Sequence, residues 1–508
     1  MPAPFRKILL FITGSGTDCN RQGETTINLA NKIQIISYPD SLGKNLQELH
    51  YVLKRYLPQA AGGIHILPFY PSSADRGFSP ITYYQVDPSF GTWRDIEMIQ
   101  EDFDLTIDFM VNHISRQSKY FADYLQHRQD SVYADMFLSF DKLSPHGEIS
   151  ENDLEKVYTR KPAPPYQFIE RPDGSVEKIW STFDREQIDV DIKSPVTREI
   201  FRDFLIFLAR KKPEIIRLDA FAYTTIKIGT NCFFVEPEVW ELLRMLGDFT
   251  APFGTRLLPE IHEHYSYQLK LAEKGYWVYD FALPMLVLHT LYHHSNLRLL
   301  NWLRICPRKQ FTTLDTHDGI GIVDVADLLC QEEIDQTING LYEKGSNVKK
   351  RYSGTAFNNL DIYQINCTYY SALECNDDSY LAARAIQFYT PGIPHVYYVG
   401  LLAGQNDIEL VERTRNGRDI NRHNYTLDEI DREMNKEVVQ RLIRLMEFRN
   451  DYPAFDGEFI IEDTPENQLA LTWKNGSFQT TAHIDLLGYK TTITYAEADT
   501  GSLQKFIA

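Results

Sequence analysis

Arg217-Leu218-Asp219-Ala220 closes a short apolar run, Glu214-Ile215-Ile216, that reads as a strand covered on both faces. On a strand, an Arg and an Asp two residues apart point to the same side. Three further segments repeat the pattern of an apolar run ending in acid or imidazole. They are Asp108-Phe109-Met110-Val111-Asn112-His113, Leu258-Pro259-Glu260-Ile261-His262 and Thr313-Leu314-Asp315-Thr316-His317-Asp318. Buried strands that all end in such side chains imply one common rim. In a (β/α)8 TIM barrel the C-terminal rim is where the site is built.

The remaining strands fit that count. Ile33–Tyr38 and Gly63–Pro68 read as the first and second, and the third ends at Asn112-His113. The fourth ends at Asp219 and the fifth at Glu260. Trp277–Phe281, Phe311–Asp315 and Val396–Gly400 supply the sixth to eighth. Helical patterns lie between them. Asn45 caps one whose stripe is Leu46, Leu49, Val52, Leu53 and Tyr56, and Ser194-Pro195 opens another with Ile200, Phe201, Phe204, Leu205 and Leu208 facing inward.

The chain of 508 residues exceeds one such core. The pattern divides it into an N-terminal extension (1–32) and a barrel in three parts (33–113, 194–319 and 375–454). Two insertions, a B domain (114–193) and a B′ domain (320–374), interrupt the barrel, and a small antiparallel β domain (455–508) follows it. Gaps of this length in a compact fold are usually functional insertions.

The formal net charge of −18 argues against nucleic acid or an anionic membrane as partner. No apolar run approaches a membrane span, and the N-terminal apolar run is too short for a secretory signal. The six cysteines are scattered without metal-ligand spacing, which predicts reduced thiols and a cytoplasmic protein.

Together, these strand ends resemble the α-amylase superfamily of retaining barrels. Asp75–Pro80, Asp315–Gly321, Asn359–Asn366 and Gly417–His423 narrow the resemblance to the sucrose phosphorylases, from about residue 33 to the C-terminus. The resemblance implies phosphorolysis of sucrose to α-glucose 1-phosphate and fructose with retention. Asp219 is then the nucleophile, Glu260 the general acid and base, and Asp318 the residue holding the glucose 2- and 3-hydroxyls. Asp75, Phe78, His113, Gln187, Arg217, Tyr223, His317 and Arg418 are expected around the glucose subsite, with His262 toward acceptor or phosphate.

Phosphate is expected at Arg160 or Lys161, whose alignment shifts by one residue, and at the acceptor loop Asp361, Tyr363 and Gln364. No metal or cofactor is expected beyond phosphate as co-substrate, and relatives suggest a homodimer. The residue chemistry agrees with this reading. Two carboxyls on neighbouring strands can reach the roughly 5–5.5 Å separation that retention requires. Arg217 beside Asp219 favours its ionised form. Within the same family, sucrose 6′-phosphate, glucosylglycerate or plain α-glucoside hydrolysis are the competing substrates and reaction. A non-catalytic amylase-like subunit would have lost the acids, which are all present.

Overall fold

The structure is a computed structural model and describes residues 29–144, 146–159, 163–344, 364–496 and 503–508. Eight parallel strands form a nearly closed barrel. They are β1 (Gln34–Ser37), β2 (Gly63–Ile66), β3 (Asp104–Met110), β4 (Ile215–Asp219), β5 (Arg256–Pro259), β6 (Val278–Asp280), β7 (Gln310–Thr312) and β8 (Ile393–Tyr397). Hydrogen-bonded ladders run β6-β7-β8-β1-β2-β3-β4-β5, so the open seam lies between β5 and β6.

Helices cover the strands for the reasons their sequences give. In α1 (Leu46–Tyr56) the Asn45 side chain accepts from the Glu48 N–H, and Leu46, Leu49, Val52 and Leu53 are buried. In α2 (Pro195–Arg210) Ser194 caps a proline-led first turn, and Phe201, Phe204, Leu205 and Leu208 face the barrel. Such a cap contributes about 1 kcal/mol, far less than the apolar face it orients.

Three strand ends fall three residues short of the sequence expectation. The third barrel strand stops at Met110, and His113–Ser115 pairs antiparallel with Gln187–Asp189 of the first insertion. The seventh stops at Thr312, before the polar loop begins. The eighth is Ile393–Tyr397, and Tyr398–Gly400, expected as strand, belong to the helical turn Tyr398–Leu401. Residues 29–32, assigned to the extension, are tied to the barrel base. The Ala30 N–H donates to Asp104, and Arg449 donates to the Asn31 carbonyl and side-chain oxygens.

The ladder register decides which side chains enter the barrel. Asp108 lies opposite Arg217, Met110 opposite Asp219, and His65 opposite Thr106. Alternate residues of a strand share a face, so Asp108, Arg217 and Asp219 all point inward. At the end of β6, buried Asp280 accepts from the Leu283 N–H, Trp302 Nε1 and Gln310 Nε2. Burial nevertheless pushes its carboxyl up to about 7.

The second insertion returns to the barrel through Gln364–Ile365, which pairs with Ile320–Gly321. The C-terminal unit is a five-stranded antiparallel sheet, Glu458–Ile461, Gln468–Asn475, Phe478–Asp485, Thr491–Ala496 and Leu503–Ile507, in chain order. It is locked to the barrel where Trp473 Nε1 donates to the Tyr389 carbonyl and Tyr389 meets Thr480. Among the described residues no helix is long and apolar enough to cross a membrane.

Candidate active site

The rim lines a cavity that opens to solvent, with about 710 Å3 of empty space counted to its open side. Its lining brings together twelve residues singled out from the sequence. Asp219, Glu260, Asp318, His262, His317 and Arg418 supply the charged and imidazole groups, and Asp75, Phe78, His113, Gln187, Tyr223 and Gln364 complete them. Arg217 lies beneath the floor, with 3% of its side chain exposed. Arg160, Lys161, Asp361 and Tyr363 lie outside the described residues.

One guanidinium organises the floor. Arg217 Nη1 contacts Asp108 Oδ1 at 2.5 Å and Asp219 Oδ1 at 3.0 Å, while Nη2 reaches Glu260 Oε1 at 3.3 Å. A single cation therefore spans the carboxylates of β3, β4 and the end of β5. Below it, His65 Nε2 meets Asp108 Oδ2 at 2.7 Å. Burial opposes ionisation of Asp108, but His65 and Arg217 pull its carboxyl down to about 2. For Asp219, burial dominates and drives the carboxyl well above the usual range. Arg217 opposes this, and Glu260, Asp108 and Asp318 reinforce it.

Backbone conformation fixes the positions of the acids. Ala220, directly after Asp219, has φ of 53°, and this left-handed turn lets its N–H donate to Glu260 Oε2 at 3.2 Å. A non-glycine residue there costs of order 1–3 kcal/mol of strain. On the opposite wall, Asp75 and Arg76 are also left-handed. Gly77 follows at φ 106°, where a Cβ would lie 2.3 Å from the Pro68 carbonyl oxygen, so only glycine fits. This tight loop delivers Asp75 and Phe78.

Phe78 stacks on His317 at 4.9 Å between ring centres. Its carbonyl receives His113 Nε2 and Gln187 Nε2, both at 2.8 Å. Gln187 also accepts from the Asp184 N–H, so it builds the wall with both ends of its amide. Burial lowers His113 to about 4 and takes His317 well below the ordinary histidine value, so both are neutral.

Asp318 sits where cations converge. Arg418 Nη1 lies 3.3 Å from Oδ1, and His317 and His262 approach Oδ2 at 3.6 and 3.8 Å. Burial opposes its charge, yet His317, Arg418, His262 and Arg422 together hold the carboxyl far below its usual range. Because His317 is itself neutral, the lasting charges beside Asp318 are the guanidiniums of Arg418 and Arg422.

Glu260, His262 and Asp318 also place donor atoms within 4.8 Å of one another, a compact set among the described residues. The guanidiniums of Arg217 and Arg418 already neutralise its two carboxylates at 3.3 Å, which disfavours a further cation between them.

Several contributors were not singled out from the sequence. Arg422, inside the Gly417–His423 motif, donates through Nε to the His317 carbonyl and faces Asp75 at 3.6 Å. Asn421 donates to the Thr316 and Asp318 carbonyls, so this motif clamps the loop that carries Asp318. Phe183 and Phe233 line the cavity and pack edge-on against Tyr223. His65 and Asp108 support Arg217 from below. Arg422, Asn421 and Asp108 lie in segments already singled out from the sequence, but only the folded structure shows what each touches.

Residues 47–231 match the family described as alpha amylase, catalytic domain. The chain is 50% identical over 462 residues to a sucrose phosphorylase of Streptococcus mutans, covering 90% of this chain and 96% of that one. It is 48% identical over 474 residues to a sucrose 6(F)-phosphate phosphorylase of Thermoanaerobacterium thermosaccharolyticum, covering 92% and 97%. The crystal structure of sucrose 6F-phosphate phosphorylase from Thermoanaerobacter thermosaccharolyticum superposes with a TM-score of 0.91 at 47% identity, covering 96% of this chain and all of that one. The chain belongs to the sucrose phosphorylase family, a group of glycosyl-transferring enzymes within the α-amylase superfamily.

Proposed function

We propose that this enzyme transfers the glucosyl group of sucrose to phosphate with retention, through a covalent ester on Asp219. The observation that carries the reading is the pair Asp219 and Glu260 held over one guanidinium at the floor of the cavity. Retention needs two close carboxyls in different protonation states, one attacking and one delivering a proton. Burial and mutual repulsion disfavour two full charges on this pair, which supports that division of labour.

In the first half-reaction Asp219 attacks the anomeric carbon while Glu260 protonates the departing fructosyl oxygen. In the second, Glu260 takes the proton of the incoming phosphate as it displaces the ester. Asp318, pinned by Arg418, is suited to bind two sugar hydroxyls and to tighten on them as positive charge develops on the ring. The buried Nδ1 atoms of His113 and His317 have no hydrogen-bond partner among the described residues, which favours a hydroxylated ligand beside them. Phe78 and Tyr223 supply the apolar walls.

On the acceptor side we assign His262, Gln364 and, from the sequence, Arg160 or Lys161 with Asp361 and Tyr363. Phosphate is the co-substrate, and the chemistry requires no metal or cofactor. The reading extends to a homodimer in the cytoplasm, a setting in keeping with free thiols at the five described cysteines.

Phosphorolysis of sucrose 6′-phosphate is the second reading, favoured by the 0.91 superposition. Against it, Tyr363 is neutral and Asp361 would repel a phosphorylated fructose. The test is sucrose consumption with and without phosphate, measuring glucose 1-phosphate against free glucose. Release of free glucose alone, unchanged by phosphate, would identify a hydrolase instead.

A further inference from the structure

His262 lies three residues beyond the end of β5, and its surroundings come from three other segments. Phe281, at the end of β6, stacks on its ring at 3.6 Å and an interplanar angle of 16°. Nε2 faces Glu260 at 3.7 Å and Asp318 at 3.8 Å. Nδ1 faces the carboxylate of Asp324, from the second insertion, at 3.9 Å. Asp324 is buried and belongs to a short helical turn, Val323–Val325, just after the residues that pair with Gln364–Ile365.

Room for that carboxylate is made by Gly321. A Cβ on Gly321 would lie 1.8 Å from Asp324 Oδ2, so any larger residue there displaces the acid. The absence of a side chain at 321 and the burial of an acid at 324 are thus one arrangement, with Oδ2 against Gly321 and Oδ1 facing the imidazole.

The geometry points to Asp324 as a positioning residue that holds His262 in orientation and in its cationic form, so that the cavity presents an imidazolium to the phosphate acceptor. This rests on the assignment of His262 to the acceptor side. The ring is clamped between Phe281 beneath and carboxylates on both nitrogens, so it cannot turn without losing one of them.

The electrostatics follow in sign. Burial works against the imidazolium, yet Asp324, Glu260 and Asp318 carry His262 above the ordinary histidine value. The groups facing it are those three carboxylates. Arg217 shares Glu260, and His317 and Arg418 share Asp318. During catalysis Glu260 gains and loses its proton and Asp318 is engaged by sugar. Asp324 is the one of the three that takes no part in the reaction, so it is the constant source of the charge.

The test compares full-length wild type with Asp324→Asn in the two half-reactions. Glucosylation is read as the burst of fluoride from α-glucosyl fluoride without phosphate. The acceptor step is read as kcat/KM for phosphate across pH, with melting temperature as a control. Phosphate's own ionisation is common to both proteins and cancels in the comparison. The expected result is a loss at least ten-fold greater in the phosphate step than in glucosylation. The alkaline limb for phosphate should also move to lower pH by about one unit.

Equal losses in both halves with an unmoved limb would overturn the inference and leave Asp324 a structural residue. Gly321→Ala tests the same link without removing the charge and carries the same criteria should Asp324→Asn not fold. His262→Ala separates the two claims. If it spares the phosphate step, the acceptor-side assignment of His262 fails. If it cripples that step while Asp324→Asn and Gly321→Ala do not, only the role of Asp324 fails.

Discussion

Glu260→Gln should separate proton delivery from every other contribution of the site. Glu260 is held at two points, with Oε2 accepting from the Ala220 N–H at 3.2 Å and Oε1 facing Arg217 Nη2 at 3.3 Å. Glutamine keeps the shape but has one accepting oxygen, so it retains one of these contacts. Arg217 still has Asp108 and Asp219 to hold it. The cost of misorientation is then about that of a single hydrogen bond, ~1 kcal/mol, or less than roughly ten-fold in rate. Loss of general acid catalysis is larger, about 10²–10⁴-fold for a leaving group that needs a proton. Glucosylation by sucrose should therefore fall by about two to four decades, and glucosylation by α-glucosyl fluoride by about one at most. A second signature follows from the charge removed. The Glu260 carboxylate helps to raise Asp219, so the acidic limb of the fluoride reaction should move to lower pH in the variant. Rapid-quench measurement of fructose and fluoride release reads both. Equal loss on the two donors would refute the assignment of Glu260 as the acid.

Asp219→Asn removes the covalent route, and transfer should drop by at least about 10⁴-fold on either donor, checked by the absence of a burst. The same change should stabilise the fold at neutral pH. Because burial raises Asp219, its favourable protonated form is fully present below the unfolded value near 4 and is lost as pH rises through the raised one. A melting temperature a few degrees above wild type at pH 7, with the gap closing toward pH 4, is expected from calorimetry. Arg160→Ala with Lys161→Ala should cost about 1.5–3 kcal/mol at the phosphate step, roughly ten- to a hundred-fold in KM for phosphate. It should also divert glucosyl-enzyme to water, and an unchanged ratio of glucose 1-phosphate to glucose would place the cation elsewhere. Tyr363→His should shift kcat/KM from sucrose toward sucrose 6′-phosphate, and a wild-type preference for the phosphorylated sugar would reverse the acceptor assignment.

The barrel was legible because eight apolar runs separated by helical stripes leave few alternatives, and the site because four of those runs end in charge. Boundaries were less legible where the apolar run has no period. Val396–Gly400 reads equally as strand or helix, and its last three residues proved helical because the ladder to β1 ends at Tyr397. Arg217 was legible from its place two residues before Asp219, but its own support was not. His65 and Asp108 lie far from it in sequence and meet it only through the register of β2, β3 and β4. Asp315 and Asp318 look alike in one motif, yet Asp315 pairs with buried Arg384 at 2.8 Å while Asp318 lines the cavity. Three residues of spacing decide it, and nothing in the composition does.

The arrangement of charge also explains how one site can serve an anionic acceptor. On the proposed mechanism, glucosylation leaves the total charge of the Asp219 and Glu260 pair unchanged, because Asp219 loses its charge to the ester as Glu260 gives up its proton. The negative charge has moved, not vanished. It passes from one contact of Arg217 to another, at 3.0 and 3.3 Å, so the same guanidinium neutralises both states without rearrangement. Phosphate must then approach a cavity whose base is newly anionic. With His262 assigned to the acceptor side as proposed, the nearest compensation there is its ring, 3.7 Å from Glu260 and raised toward its cationic form. In a low-dielectric pocket a charge at that distance outweighs the diffuse field of a chain with net charge −18, which solvent screens. On this mechanism the selection of phosphate is local, and it depends on cations placed within one contact of the base.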